Sequence, residues 1–142
     1  MELKDCSVFL LAKTSQAGYK FWANYIADQK VTTVQAMFLI LLTSKDGQTS
    51  GQLGAYSKLD SATVSGVIDR LQAMKLVKRK PSPTDRRSSL IFLEPGGIKK
   101  GQILTEKFEM AHHQFLSSFT EEEKNLIKSL LSRLLKKHSD LL

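Results

Sequence analysis

The chain has 142 residues, of which 42% are hydrophobic and 25% are charged, so it is long enough for one domain with a sizeable core. Its 21 basic and 14 acidic residues give a formal net charge of +7, which argues against an acidic disordered tail and is compatible with a polyanionic partner. The single cysteine excludes an internal disulfide framework, and the longest apolar run, 36–42, is too short to span a membrane, so we expect a cytoplasmic protein with no membrane partner.

Two helices are predicted first in the chain. From Asp5 to about Ala27, apolar residues fall on one broad stripe, which indicates a helix covered on more than one side. Thr33 then precedes a run with apolar residues at i, i+3, i+4, i+7 and i+8, which ends near 44–47. Because neighbouring positions in this second run are apolar too, we expect it to be a central helix.

The next two predicted helices begin at polar caps. Thr49 and Gln52 have the spacing of a capping box. The helix after it is capped by Asp60 or Ser61. One face of this fourth helix is apolar, whereas its opposite face carries small or short side chains, namely Ala62, Ser65, Gly66, Asp69 and Ala73.

A hairpin and two long helices complete the chain. Residues 76–80 and 89–93 are rich in branched side chains and are separated by 81–87, which predicts two strands with a basic tip. A long amphipathic helix is expected after 94–97. The last helix opens with a capping box at Thr120 and Glu123 and carries a leucine-rich stripe that extends to Leu141.

Three helices followed by a basic hairpin are typical of a winged helix-turn-helix. A helix that enters the major groove of DNA needs a slim outer face with hydroxyls, which the start of the fourth helix provides. Residues 61–93 carry seven cations and two anions, a net charge of +5. Taken separately, the helix and the charge run have a plainer interpretation as ordinary solvated surface. Their adjacency favours DNA binding.

At these residues the sequence resembles the MarR family of bacterial transcriptional regulators. The resemblance covers about residues 33–97 and rests on the motifs GQLG (51–54), LDSATVS (59–65), IDRL (68–71), LVKR (76–79) and DRRS (85–88). Two positions depart from the family pattern. Lys75 stands where glycine is usual after the recognition helix, and Leu93-Glu94 replaces the usual Leu-Thr, which removes a hydroxyl cap from the fifth helix.

The resemblance implies a homodimeric repressor on a pseudo-palindromic operator in double-stranded DNA. Arg87 is expected to reach into the minor groove, and Asp85 to orient the wing through an ion pair. Arg70 either contacts DNA or joins that network. The residues expected at DNA are Ser61, Ala62, Thr63, Ser65, Gly66, Arg70, Lys80, Thr84, Arg86 and Arg87.

The predicted fold is therefore mainly α with a small β-hairpin wing. Residues 1–32 form the N-terminal helix of a dimerisation region, 33–97 the winged helix-turn-helix domain, and 98–142 the C-terminal dimerisation helices. The leucines of the last helix are also compatible with the core of a monomer, although the length and topology of the chain favour a dimer.

The family also places an effector pocket where the flanking helices meet the winged domain. A small aromatic or phenolic effector is expected there. Aromatic residues at helical spacing also form plain core, so the pocket is a hypothesis about six residues, namely Phe9, Lys13, Gln16, Tyr19, Phe38 and Leu42.

Other functions are compatible with parts of the sequence. Some relatives sense peroxides through a cysteine in the first helix, and Cys6 near a helix N-terminus is the candidate thiol. A winged helix that binds protein is a second alternative. Enzymatic activity is not expected, because the sequence has no phosphate-binding loop and no nucleophile with an identifiable base.

Three histidines raise the question of a metal site. Glu109, His112 and His113 have the i, i+3 and i+4 spacing of ligands on one helical face, with His138 in the last helix as a further candidate. Histidines in a helical protein also lie at surfaces or cap helices, and no cysteine ligand is nearby. We therefore predict neither a metal nor another cofactor.

Overall fold

A computed structural model describes residues 1–138 as a mostly helical protein with one small antiparallel sheet, which confirms the predicted fold class. Leu141, at the end of the predicted leucine stripe, lies outside the described residues. The helices are α1 (Ser7–Tyr25), α2 (Thr33–Ser44), α3 (Ser50–Ser57), α4 (Ser61–Ala73), α5 (Pro95–Phe115) and α6 (Glu121–His138), and the strands are β1 (Gln48–Thr49), β2 (Val77–Pro81) and β3 (Ser89–Leu93).

Capping boxes start both α2 and α3. At α3 the prediction is confirmed, since the Thr49 hydroxyl accepts a hydrogen bond from the Gln52 backbone N–H at 3.1 Å and the Gln52 side chain accepts one from the Thr49 N–H at 2.9 Å. At α2 the predicted cap was wrong by one residue. Thr33 is already helical, and Thr32 forms the capping box with Gln35.

The ends of α1 and the start of α5 differ from expectation. Single turns of 3-10 helix at Leu3–Asp5 and Ala27–Gln29 flank α1, so the regular helix is shorter than predicted. No residue of α1 is buried within the single chain. Helix α5 begins at Pro95. Proline is well suited to the first position of a helix, because the backbone N–H that it lacks would have no hydrogen-bond partner within the helix.

The sheet has three strands in the order β1-β3-β2, one more than the predicted hairpin. Val77 pairs with Leu93 and Pro81 with Ser89, while Gln48 of β1 pairs with Ile91 on the other side of β3. The Gln48 amide is buried and donates hydrogen bonds to two carbonyls near the end of α2, at 3.0 and 2.8 Å. Strand β1 thus joins the wing to the helical core.

The core lies between α2, α4, the sheet and the first half of α5. Phe38, Leu39 and Leu42 of α2 are each at most 1% exposed, which confirms that α2 is the central helix. The fully buried side chains packed with them from the other helices and the strands are Leu53, Val64, Ile68, Leu71, Val77, Ile91 and Leu104.

Helix α6 lies outside this core. Its predicted capping box is confirmed, since the Thr120 N–H donates to the Glu123 carboxylate at 2.8 Å and the Glu123 N–H donates to the Thr120 hydroxyl at 3.3 Å. None of its residues up to His138 is buried. The exposed leucines of α6 are Leu126, Leu130, Leu131, Leu134 and Leu135.

The start of α5 is fixed on the base of the wing. Lys75, one of the two departures from the pattern that the sequence resembles, adopts the left-handed conformation, with φ of 56°. The next residue, Leu76, accepts a hydrogen bond through its carbonyl from the Glu94 N–H at 2.9 Å. The Glu94 side chain makes no capping hydrogen bond. A Cβ atom on Gly97 would overlap the Leu76 carbonyl, so only glycine allows this close approach.

Gly97→Ala should therefore lower the free energy of unfolding by about 1–3 kcal/mol, the usual cost of forcing an extra atom into a packed site. Urea denaturation measures it. Gly66→Ala in α4 is the matched control, because a Cβ there meets nothing within 4 Å. The control should raise the free energy of unfolding by up to about 1 kcal/mol through helix propensity. Equal values for the two variants would contradict the described seating of α5.

Candidate nucleic-acid interface

The start of α4 is held by Asp60, which is the N-cap rather than Ser61. One carboxylate oxygen accepts a hydrogen bond from the Thr63 backbone N–H at 2.8 Å, and the other accepts from the Thr63 hydroxyl at 2.7 Å. These two bonds, the backbone one foremost, lower the pKa of Asp60 below its ordinary value. With its proton directed at Asp60, the Thr63 hydroxyl is left to act as an acceptor.

The predicted DNA-facing residues of α4 lie at or near the surface. Gly66 is half-buried, and a Cβ on it would meet open space. This part of α4 is therefore slim and accessible, as a helix that enters a groove must be. The exposed residues of the predicted set are Ser61, Ala62, Thr63, Ser65 and Arg70.

The wing tip is organised by Asp85 without the ion pair that the family resemblance implies. Among residues 1–138, no ion pair involves Asp85. Instead its carboxylate accepts a hydrogen bond from the Arg87 backbone N–H at 2.9 Å, and its carbonyl accepts one from the Ser88 N–H at 3.1 Å. The expected ion pair was wrong, because the Asp85 carboxylate closes a local turn with the backbone N–H two residues ahead and does not pair with a cation of another helix or strand.

The predicted wing contacts stay at the surface around this turn. Thr84, Arg86 and Arg87 are exposed. Lys80 is exposed too, and its ammonium lies 5.3 Å from the centre of the Phe92 ring. Two arginines at the tip are therefore accessible to a polyanion.

An ion pair that the sequence interpretation missed connects α4 to the wing. Arg79 of β2 donates to the Asp69 carboxylate at 2.7 Å and to the Gln72 amide oxygen at 2.8 Å. Asp69 and Gln72 are three residues apart and so share a face of α4, which was the available signal. Arg70, proposed for such a network, takes no part in these bonds.

A polar cleft of about 590 Å³ opens between α3, α4 and the wing. Two arginines and one carboxylate line it, and most of the other lining side chains end in hydroxyls. The lining residues are Thr49, Ser50 and Gly51 at the start of α3, Ser65 and Asp69 of α4, and Arg79, Arg87, Ser88 and Ser89 of the wing.

A second, apolar cavity of about 160 Å³ lies between α1 and α5. Its walls include two ring pairs, with centroids 5.3 Å apart for Trp22 and Phe108 and 5.2 Å apart for Phe21 and Phe115. His112 supplies an imidazole, and Gly18 and Ala111 complete the lining.

The six residues predicted for an effector pocket are not among those that line this cavity. Phe38 and Leu42 are enclosed in the core. Lys13 Nζ lies 3.5 Å from the Gln16 amide oxygen and 5.7 Å from the centre of the Phe9 ring, along α1, and Tyr19 is exposed further along that helix. An apolar pattern alone did not separate core residues from cavity walls.

Among the remaining candidate residues, His112 lines the apolar cavity, whereas Cys6, Glu109 and His113 line neither the cavity nor the cleft. Cys6 is the half-buried N-cap residue of α1. The His112 and His113 rings are 5.4 Å apart, and Glu109 is exposed. Within residues 1–138, no group of three or more histidine, cysteine or acidic residues is arranged to hold a metal ion. In the same range, no helix is long and apolar enough to cross a membrane.

Known proteins resemble the chain in both sequence and fold. A model of the MarR family matches residues 29–88. The organic hydroperoxide resistance transcriptional regulator of Bacillus subtilis is 31% identical over 107 residues, which cover 75% of this chain and 70% of that protein. The transcriptional repressor NicR of Pseudomonas putida is 30% identical over 88 residues, 62% of this chain, and the match spans only 56% of NicR.

A solved structure matches over nearly the whole chain. It is that of Bordetella bronchiseptica BpsR, whose DNA binding is regulated by 6-hydroxynicotinic acid. The TM-score is 0.85 at 26% identity, with 94% of this chain and 96% of that chain covered. The two sequence relatives are transcriptional regulators, not enzymes.

Proposed function

Because the chain belongs to the MarR family of transcriptional regulators, we propose that it represses transcription by binding a pseudo-palindromic DNA operator as a homodimer. The observation that most directly supports DNA binding by this region is the ion pair between Asp69 and Arg79. It ties the slim helix α4 to the basic wing, so that both line one cleft. In a dimer, two such units would meet half-sites about one helical turn apart, roughly 34–36 Å.

In each copy of the chain, α4 and the wing would contact different parts of the duplex. Exposed side chains at the start of α4 would read base edges in the major groove, and the helix N-terminus favours a nearby phosphate. The wing turn built on Asp85 holds Arg87 by its backbone, which leaves the guanidinium to enter the minor groove. Arg86, beside it and exposed, is placed to neutralise backbone phosphates.

Arg87→Ala should weaken binding to a duplex operator by about 1–3 kcal/mol, because alanine cannot reach the groove that the guanidinium occupies. Arg86→Ala is the matched control, and it should make the dependence of log K on log salt shallower by about 1 while changing specificity little. Fluorescence anisotropy over a salt series measures both. An unchanged dissociation constant for Arg87→Ala at matched salt would refute the groove contact.

The proposal of a homodimer is supported by the large apolar side chains that a single chain leaves exposed on α5 and α6. Leu130 and Leu134 on α6 are 45% and 43% exposed, and Phe108 and Phe115 on α5 are 52% and 38% exposed. Single chains seldom expose so many large apolar side chains. A second copy of the chain would bury them, and would also set the distance between the two copies of α4.

Leu134→Asp should convert the dimer to a monomer in sedimentation velocity and weaken operator binding by about tenfold or more, since a carboxylate is costly in an apolar interface. Ser132→Asp adds the same charge two residues away, on the other side of α6, and should leave the dimer intact. A wild-type protein that is monomeric at micromolar concentration, or equal behaviour of the two variants, would refute the interface.

The cavity between α1 and α5 is proposed as the effector site. Its volume of about 160 Å³ is enough for one aromatic ring, which would enter from the open side of the site. The imidazole of His112 would bond a hydroxyl or carboxylate on such a ring. BpsR, the structural relative, responds to an aromatic acid of this size. Helix α5 links the cavity to the wing, since its start is hydrogen-bonded to Leu76.

Trp22 is the single tryptophan and lines the cavity, so its fluorescence reports occupancy. Titration with 6-hydroxynicotinic or benzoic acid should quench it and raise the operator dissociation constant about 5- to 150-fold, the usual range of allosteric coupling. Ala111→Leu should fill the cavity and abolish both effects. Ala23→Leu, at an exposed position of α1, is the control. Quenching that persists in Ala111→Leu would place the ligand elsewhere.

A further inference from the structure

Two lysines of α5 bind the turn that joins α1 to α2. Lys107 Nζ donates a hydrogen bond to the carbonyl of Tyr25, the last residue of α1, at 3.3 Å, and lies 3.1 Å from a carboxylate oxygen of Asp28. Two helical turns earlier on α5, Lys100 Nζ donates to the Gln29 carbonyl at 2.9 Å. These bonds form a lysine bridge between α5 and the turn.

We propose that the lysine bridge is the pivot about which α1 rotates when an effector occupies the apolar cavity, and that Lys107 thereby couples effector binding to DNA binding. This inference rests on the proposed function, because it assumes an effector between α1 and α5. Lys107 is not among the residues that line the cavity. It is therefore a positioning residue, whose loss should uncouple the two binding events without abolishing either.

Lys107 lies at the boundary between two parts of α5. The part before it is packed into the core, since Leu104 is fully buried and a Cβ atom on Gly101 would approach a backbone carbonyl of α2 to 3.2 Å. In the part after it, 108–115, Ala111 is the one buried residue, and this part supplies the α5 wall of the cavity. The first part of α5 is therefore fixed to α2, whereas the second part faces α1.

The contacts of α1 with α5 also change along the helix. At its end, the Tyr25 carbonyl is hydrogen-bonded by Lys107, whose ammonium lies 5.8 Å from the centre of the Tyr25 ring. Closer to the middle of α1, its side of the apolar cavity is formed by Gly18, Phe21 and Trp22. Because apolar contacts are not directional, this part of α1 can shift on α5 at a lower cost than the hydrogen-bonded end.

The cavity extends away from the bridge along both helices. Trp22 and Phe108, whose ring centroids are 5.3 Å apart, lie beside the bridge. Gly18 and Phe115 lie seven and eight residues from it, which corresponds to about 10–12 Å of helix. An aromatic ring in the cavity would therefore separate the far ends of α1 and α5, while the bridge keeps their near ends together.

A ligand shifts a conformational equilibrium only if it binds the two states unequally. A rotation of α1 about the bridge widens the cavity, so an effector that fills the cavity would favour the rotated state. The first part of α5 stays with α2 and the wing. In a dimer held through the outer parts of α1, α5 and α6, the rotation would thus change the distance between the two copies of α4.

The bridge is ionic but contributes little to the stability of the fold. One Asp28 carboxylate oxygen accepts a hydrogen bond from the Gln29 amide at 2.8 Å, and the other faces Lys107. These two groups, Gln29 foremost, lower the pKa of Asp28 below its ordinary value. The Lys107 and Asp28 side chains are 25% and 58% exposed, and ion pairs of such exposure stabilise a protein only slightly. Substitutions at the bridge should therefore leave the chain folded.

Substitutions at Lys107 test the pivot. Lys107→Met removes the ammonium and keeps an unbranched chain of similar length. Lys107→Arg keeps the charge and the donors, so it should behave like wild type. Lys99→Met removes the same charge from an exposed position of α5 and is the matched control. Asp28→Asn removes the charge on the other side of the bridge. Circular dichroism checks that each variant folds.

Two titrations are made with each variant. Quenching of Trp22 by benzoic acid gives the dissociation constant of the effector probe. Fluorescence anisotropy with an operator duplex selected from random sequences gives the operator dissociation constant with and without benzoic acid. The ratio of these two operator constants is the coupling, from which any uniform effect of a changed net charge cancels.

The coupling should separate the variants. It should be about 5- to 150-fold for wild type, Lys107→Arg and Lys99→Met, and less than about twofold for Lys107→Met. Asp28→Asn should give an intermediate value, since the bond to the Tyr25 carbonyl remains. In Lys107→Met the dissociation constant of benzoic acid, and that of the operator without it, should stay within about threefold of wild type. A merely structural role would leave the coupling unchanged.

Each other outcome contradicts a distinct claim. If Lys107→Met keeps the wild-type coupling, the pivot is wrong, although the effector site stands. If Lys99→Met loses the coupling as well, the response depends on charge and not on the bridge. If benzoic acid neither quenches Trp22 nor weakens operator binding in wild type, the effector site is wrong and the pivot fails with it. Should Lys107→Met not fold, wild-type coupling in Asp28→Asn would overturn the pivot.

Discussion

The ion pair between Asp69 and Arg79 is the interaction on which the proposed DNA-binding surface depends. It joins a helix to a strand across the surface, and Gln72 adds a second acceptor for the same guanidinium. Being half-exposed, such a pair contributes little to overall stability. Its importance is geometric, because it adds a side-chain link between α4 and the wing to the packing of Val77 and Ile91 against Ile68 and Leu71 in the core. Helix and wing can present one continuous face only if their relative position is fixed.

The same bonds determine which of the basic residues in this region are available to a partner. The sequence carries +5 between residues 61 and 93, but its cations are not equivalent. Arg79 is used within the protein, and Lys80 lies over the Phe92 ring. Arg86 and Arg87 stay exposed on the turn that Asp85 organises. The net charge indicated the region that we propose faces DNA, whereas hydrogen bonding separates the residues that hold this region in place from those exposed to a partner.

Local features were predictable from the sequence, and features made by distant residues were not. Capping boxes, apolar spacing and the hairpin depend on residues a few positions apart, so the helix order, the fold class and the cap at Thr49 followed from pattern alone. Strand β1 has two residues and no pattern of its own, and it exists because Gln48 pairs with Ile91, far along the chain. Phe38 and Leu42, two of the expected effector residues, are buried in the core, and spacing alone cannot separate a core residue from a cavity wall.

The proposed function requires two copies of the chain to read a symmetric duplex. Selection of bound sites from a pool of random duplexes is the sharpest test, because it needs no assumption about operator sequence or ligand. We expect enrichment of a pseudo-palindrome whose half-sites lie about one helical turn, roughly 34–36 Å, apart. A pool that stays unenriched, or that yields a single asymmetric half-site, would contradict this expectation and favour a winged helix that binds another macromolecule.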